Sequence, residues 1–401
     1  MAGSFTGPDG DLENLYITDY AILDRYVGAG SLWTWGRNQY GQLGDNTITN
    51  KSSPIQTISG GTNWTLISTT NGTTCHAIKS DGTLWGWGDG RIGGMGNNTV
   101  IKYSSPVQTV SGGTNWKQVE SFSSQAAIKT DGSLWTWGYG NPGTIGDGAS
   151  TSRSSPVQTT FATNNWKQVS VTGGGGGNVL AVKTDGTLWG WGYNSYGSLG
   201  IGSINASGVN PVNSPVQIGA NTNWRKASIG WSIGSGIKTD GTLWIWGYNN
   251  YGQLAQGTTT NNRSSPIQVG TNVNWKEVSA GTKDCFAIKT DGTLWVWGRN
   301  NYGQLGTNDT THRSSPVQTV AGGTNWKQVS NYSGGVAAIK TDGTLWTWGF
   351  NLFGQLGTND RTDRSSPVQT VSGGTNWKSV AAGFTVSAIY FYDSTNQYPS
   401  A

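Results

Sequence analysis

The chain has 401 residues, among them 63 Gly and 22 Trp, while charged residues make up only 11%. That composition is too polar and Gly-rich for a helical protein and too aromatic for a disordered one, which leaves a turn-rich all-β chain. The formal net charge of +4 is unevenly distributed, and the first segment carries most of the asymmetry.

Residues 1–30 hold Asp9, Asp11, Glu13, Asp19 and Asp24 against Arg25 alone, a net −4, whereas the remainder holds 24 bases and 16 acids. An acidic arm on a mildly basic body points to separate roles. The arm has no basic n-region followed by an apolar core, and no stretch approaches 18 apolar residues. Neither a secretory signal nor a membrane span is therefore expected. Tyr16, Ile17, Tyr20, Ile22, Leu23 and Tyr26, with Val27, make the arm more apolar than a solvated tail requires. The pattern fits a short helix or an extended segment. Such a segment orders against a partner that buries it, or else lies along the nearest part of the body.

From Ser31 onward the chain repeats. The motif LWxWG recurs with its first Trp at 33, 85, 135, 189, 244, 295 and 346, a spacing of 50 to 55 residues. The fullest copy is Ala287-Ile288-Lys289-Thr290-Asp291-Gly292-Thr293-Leu294-Trp295-Val296-Trp297-Gly298. Asp-Gly between short apolar runs predicts a tight hairpin, because Gly accepts the positive φ of the turn. A Gly/Asn loop follows, then Ser314-Ser315-Pro316-Val317-Gln318, whose Pro predicts an edge strand that has no use for an N–H there. The strand Trp326-Lys327-Gln328-Val329-Ser330 leads into the next hairpin. Four short strands per ~50 residues is the pattern of a propeller blade.

The two Trp of LWxWG share one strand face and Leu takes the other. A third Trp per unit (64, 116, 166, 224, 275, 326, 377) accounts for 21 of the 22, leaving only Trp231 outside the pattern. Tryptophans at these positions are core. The repeats open on LWxWG and end on Trp377–Val380 and Ser387–Tyr392, the strands that the opening half-unit lacks. The expected fold is all-β: a seven-bladed β-propeller, four short strands per blade, closed by pairing N- and C-terminal strands, with a short N-terminal arm. The units are 1–30 (arm), 31–393 (propeller) and 394–401 (tail).

Catalytic chemistry was sought and not found. Cys75 and His76 are adjacent in a strand, so their side chains point to opposite faces and form no nucleophile–base pair. Cys285 lies four blades away, which speaks against a disulfide, and both thiols are expected to be buried. His312 sits in a polar loop with an ordinary surface role. No His/Cys/carboxylate cluster has zinc spacing. Asp81, Asp131, Asp185, Asp240, Asp291 and Asp342 are turn residues. GxGxxG at Gly88–Gly93 and Gly138–Gly143 opens no helix, so no nucleotide is expected. No catalytic, metal or cofactor site is assigned, and the chain is read as a non-enzyme.

Surface sets remain. Lys51, Arg153, Arg263, Arg313 and Arg364 precede Ser-Ser-Pro in five of the seven units and predict a basic ring near the outer rim, most simply solvated. Lys117, Lys167, Lys276, Lys327 and Lys378 follow the third Trp. Neither set has the exposed aromatics that nucleic acid requires. The loop after LWxWG places Tyr40, Tyr196, Tyr251, Tyr302 and Phe353 at one matched position, replaced by Ile92 and Pro142 in the second and third units. Loops varied on a fixed scaffold are candidate binding surfaces, although the simpler reading is that each Tyr packs on its own loop.

WGxNxxGQLG, SSPVQ, NWKxVSAG and AIKTDGTLWxWG together resemble the regulator of chromosome condensation family over residues 31–392. The resemblance implies a seven-bladed propeller closed by both termini. It implies less about function, because members include a nucleotide-exchange factor for a small GTPase, enzyme inhibitors, scaffolds and virion proteins. The regular NWK and LWTWG units, poor in Cys and His, look more like bacterial and tailed-phage members, and the short arm resembles that of phage appendage proteins. The expectation is a non-enzymatic structural protein of a virion, docked through its arm, with virion proteins or a host surface receptor as partners. A homo-oligomer within the particle is compatible with it. The alternative is a cytoplasmic regulator of a GTPase.

Overall fold

The computed structural model describes residues 29–69, 73–110, 113–172, 177–204 and 211–391. Twenty-eight strands form seven four-stranded antiparallel sheets, and no helix occurs among the described residues. In the sixth blade the strands run Trp275–Ala280, Asp284–Lys289, Leu294–Gly298 and Arg313–Gln318, in that spatial order. The Trp-initiated strands of successive blades abut one another around the axis, so they line the central channel. The Ser-Pro strand is the outer edge of every blade, where Pro costs no ladder bond.

The first blade draws on both ends of the chain. Its order is Lys51–Gln56, Ser31–Gly36, Thr385–Tyr390, Trp377–Ala381. Ser31 pairs with Tyr390, Trp33 with Ala388 and Trp35 with Val386, so the ring closes without an open sheet edge.

The core consists of seven clusters, one at each blade–blade contact. Leu243 and Ile237 of the fifth blade pack against Trp275 and Trp297 of the sixth. Leu345 and Ile339 of the seventh pack against Trp33, Trp35 and Trp377 of the first. Thus each blade offers Leu and Ile on one face and tryptophans on the other, as two-sided burial requires. Within a blade the third Trp meets both LWxWG rings edge-on, for example Trp275 with Trp295 and Trp297 at 6.4 Å.

The tryptophans also hydrogen-bond, which periodicity alone does not disclose. The second Trp of every LWxWG donates its indole N–H to a carbonyl in the preceding blade's loop. Trp297 reaches Gln253 O at 2.8 Å, Trp348 reaches Gln304 O at 2.7 Å and Trp35 closes the ring on Gln355 O at 2.9 Å. The first Trp is held within its own hairpin. Asp291 accepts the Thr293 N–H and hydroxyl, and the Thr293 hydroxyl accepts the Trp295 indole N–H at 2.9 Å. Over the same ring pair lies the hairpin lysine, Lys289, at 4.3 Å from Trp295 and 5.0 Å from Trp275.

Candidate functional site

The loop after LWxWG is built from inside out. In the sixth blade the fully buried Asn300 accepts the Leu305 N–H at 2.9 Å and donates to the carbonyls of Asp309 and Thr311 at 3.0 and 3.1 Å. Gln304 accepts the Tyr302 N–H at 3.0 Å. Gly303, with φ of 72°, lies so close to the next blade that a Cβ would stand 2.4 Å from Ser365 Cα. Asn38, Asn249 and Asn351 brace their loops in the same way. The motif therefore fixes the loop by its Asn, Gln and Gly, and leaves the aromatic residue at the tip.

Tyr40, Tyr196, Tyr251, Tyr302 and Phe353 all lie on this face, each half-buried. They do not rest only on their own loops. Four of the five tip rings pack on the residue that follows the LWxWG glycine of the next blade, and Tyr40 packs instead on Arg91, two residues further along. Tyr196 meets Tyr248 at 4.8 Å, and Tyr302 meets Phe350 at 4.8 Å. The guanidinium of Arg299 lies over Tyr251 at 5.8 Å and over Tyr302 at 5.5 Å. Arg37 lies over Phe353 at 5.4 Å and Tyr40 at 5.8 Å, and Arg91 over Tyr40 at 5.1 Å. Tip and neighbour thus alternate in one connected arc: Tyr196, Tyr248, Tyr251, Arg299, Tyr302, Phe350, Phe353, Arg37, Tyr40, Arg91. The arc stops where Ile92 and Pro142 replace the aromatic tips.

Sequence reasoning found the tips and missed the second position. Arg37, Tyr248, Arg299 and Phe350 occupy the variable x of WGxN, a signal that was legible as aromatic or cation alternating at one repeat position. Trp231, the one Trp outside the pattern, joins the arc against Tyr196 at 6.1 Å. The arm residues Tyr16, Ile17, Tyr20, Ile22, Leu23 and Tyr26 lie outside the described residues.

A cavity of about 220 Å³ opens beside the arc between the sixth and seventh blades, walled by Lys283, Arg299, Tyr302, Phe350 and Phe384. Asp284 forms part of it, buried and accepting from Gln304 Nε2 at 3.2 Å and Asn331 Nδ2 at 2.7 Å. Burial pushes its carboxyl up to about 6, against the opposing pull of those bonds. The Arg299 Nε is buried without a hydrogen-bond partner.

The outer-rim cations are neutralised. Arg153 pairs with Asp147, Arg313 with Asp309 and Arg364 with Asp360, while Lys51 stands 3.9 Å from Asp45. Arg263 has Thr258 where Asp309 and Asp360 stand in their blades, and is exposed. The expected basic ring is thus largely a ring of ion pairs, because an acid in the same blade's loop meets each paired base. His312 also has more than a surface role. Its Nδ1 accepts the Asn300 N–H at 3.0 Å, where Asn50 Oδ1 serves Asn38, and its ring meets Tyr251 at 5.1 Å.

The channel holds a second cavity of about 270 Å³. Gln118, Gln168 and Gln328 each donate to a carbonyl of the next blade, and a Lys226–Glu277 ion pair takes that place between the fifth and sixth blades. Glu120 projects into the channel where five other blades have Ser and the first has Ala381; enclosure by protein raises its carboxyl to about 7. Cys75 and Cys285 are free and buried. Burial pushes the Cys75 thiol up to about 12 and holds His76 down to about 3, its Nδ1 sitting 2.7 Å from Ser121 Oγ.

A propeller of this repeat defines a family. The regulator of chromosome condensation (RCC1) repeat matches residues 29–75, 131–181, 185–234, 240–288, 291–331 and 342–389, and the chain belongs to that family. It is 28% identical over 344 residues to the ultraviolet-B receptor UVR8 of Arabidopsis thaliana, covering 83% of this chain and 76% of UVR8. It is 28% identical to the human probable E3 ubiquitin-protein ligase HERC6 over 202 residues, which is 48% of this chain but 20% of HERC6. Among solved structures, yeast RCC1 (Prp20) bound to Kap60 superposes with a TM-score of 0.81 at 15% identity, covering 98% of each chain. Human WBSCR16 gives 0.76 at 18% identity, covering 90% of this chain and all of that one.

Proposed function

We propose that this is a non-enzymatic binding protein whose propeller presents the loop-face arc to a protein partner. The observation that carries the reading is that the tip and x positions vary from blade to blade on a braced loop and join into one surface. Two neighbouring groups with the elements of chemistry, Cys75 and His76, are both driven by burial to their neutral forms. Alanine at Tyr251, Tyr302 and Phe353 should abolish partner capture while the melting temperature stays within a few degrees; retained capture would refute the reading.

In finer form, the protein is a phage virion component, a capsid decoration or tail appendage, located in the particle. Residues 1–30 serve as docking arm, 31–393 as displayed propeller and 394–401 as tail. The acidic arm, set apart from the repeats in charge and pattern, supports this. Particle proteomics and cryo-EM test it, as does a chain beginning at Gly28, which should melt like the full chain yet fail to join particles. Membership of the RCC1 repeat family favours a second reading, a cytoplasmic regulator of a GTPase. Accelerated nucleotide exchange on adding the protein would support it, and a flat response across a GTPase panel would end it.

A further inference from the structure

The arc carries charge of one sign with almost nothing to balance it. Arg37, Lys102, Lys283 and Arg299 face this surface, and none has a carboxylate within ion-pair distance among the described residues. Arg37 is held by Gln39 Oε1 at 2.7 Å. Lys102 lies over Tyr40 at 5.0 Å, and Lys283 over Tyr251 at 5.1 Å. Asp89 is taken by Arg91 at 2.6 Å, and Asp284 lies in the cavity wall, bonded to Gln304 and Asn331 and attracting Arg299 without an ion pair, so Lys283 and Arg299 together still leave the cavity in positive excess. The rim, by contrast, has supplied its own acids. A cation resting on an aromatic face keeps its charge while shedding part of its hydration, so it is ready to pair at lower desolvation cost.

We infer that this arc binds an extended acidic peptide segment of a partner protein, with one Asp or Glu side chain entering the cavity between Lys283 and Arg299. The inference rests on the docking reading above and names the chemistry of its partner. The cavity of about 220 Å³ exceeds several water volumes of ~30 Å³ each, and the buried, unbonded Arg299 Nε supplies a donor for a carboxylate there. The remaining cations, spaced blade by blade, meet acids further along an extended chain. A neutral glycan suits the surface less well, because ring faces on which a sugar would stack are already covered by Arg37, Arg299 and Lys283. A nucleic acid would draw on the rim cations, and four of those are paired within their own blades.

The test is fluorescence anisotropy of the full-length chain with a labelled Glu/Gly peptide and its Lys/Gly counterpart. The acidic peptide should bind and the basic one should not. Lys283→Gln and Arg37→Gln should each weaken binding about tenfold, as should raising NaCl to about 0.5 M, where screening shortens to a few Å. Arg153→Gln, on the neutralised rim, should leave it unchanged. Arg299→Gln serves as a further probe, and the two half-exposed sites carry the test if that variant misfolds. Equal binding of the basic peptide, indifference to both substitutions, or stronger binding of a heparin or short RNA fragment would overturn the inference. So would displacement by a peptide of residues 1–28 together with self-association of the full chain, because the occupant would then be a second copy. Partner capture that is lost in the tip variants while the acidic peptide fails to bind would leave the docking reading standing and this inference refuted.

Discussion

The two ends of the same loop obey different rules. Its buried end recurs in most blades: the bracing Asn stands at 38, 194, 249, 300 and 351, with Gly90 and Gly140 in the second and third, and Asn300 and Gln304 do in the sixth blade what Asn351 and Gln355 do in the seventh. Its exposed end does not repeat. The position after the LWxWG glycine holds Arg37, Asp89, Tyr139, Tyr193, Tyr248, Arg299 and Phe350 in successive blades. The difference teaches that the repeat motif is a bracket, and that recognition resides in the residues the bracket leaves free. A substitution's cost should therefore fall steeply from the seam between blades to the tip of the loop.

The largest effect belongs to ring closure. Deleting residues 376–401 removes Trp377, Val380, Val386, Ile389 and Tyr390, all buried in the first blade. Large buried side chains contribute roughly 1.5–3 kcal/mol each, so the sum approaches the ~5–15 kcal/mol stability of an ordinary domain. The shortened chain should aggregate or lose its cooperative melt in calorimetry; a soluble product with a sharp transition would show that the closing pair is dispensable.

Next comes the indole that ties one blade to another. Trp297→Phe leaves the carbonyl of Gln253 without its 2.8 Å donor and should cost about 2–4 kcal/mol from the orphaned acceptor and lost volume. Chemical denaturation of this variant beside Tyr251→Ala compares seam and tip directly. Equal losses would erase the distinction.

A mid-sized, pH-dependent effect lies in the channel. Glu120 has a folded value of about 7, above its ordinary 4.5, so the folded state holds the proton more tightly. The resulting stability is fully present below the ordinary value and is lost as pH rises through 7. Glu120→Gln should raise the melting temperature at pH 8 and change it little at pH 4. The hairpin acids act in the opposite sense: the Thr293 hydroxyl and N–H hold Asp291 below its ordinary range, so their contribution fades as pH falls into the acid range. A variant whose melting temperature tracks the wild type at every pH would remove Glu120 from this account.

Smallest in stability are the tips themselves. Tyr302→Ala and Phe353→Ala should each cost no more than about 1 kcal/mol, since half-exposed rings lose limited burial and one or two aromatic contacts. Their expected effect is on binding. A loss as large as that of Trp297→Phe would make the arc part of the core.

The spacing of LWxWG determined the number of blades, and the half-unit at Ser31 with its missing partners at Trp377 and Ser387 determined closure, because a fixed period dictates how identical units must stack. The alternation within Leu-Trp-x-Trp likewise determined which side chains are core. Pattern could not decide what the second tryptophan bonds to, since the Gln253 carbonyl is 44 residues from Trp297 in sequence and meets it only when two blades pack. Nor could it decide that Arg313 is paired with Asp309, or that His312 supports a loop. Above all, Tyr251 and Arg299 are separate repeat positions in the sequence and become neighbours only through the turn from one blade to the next. The blade is written locally, while the arc is a property of the ring.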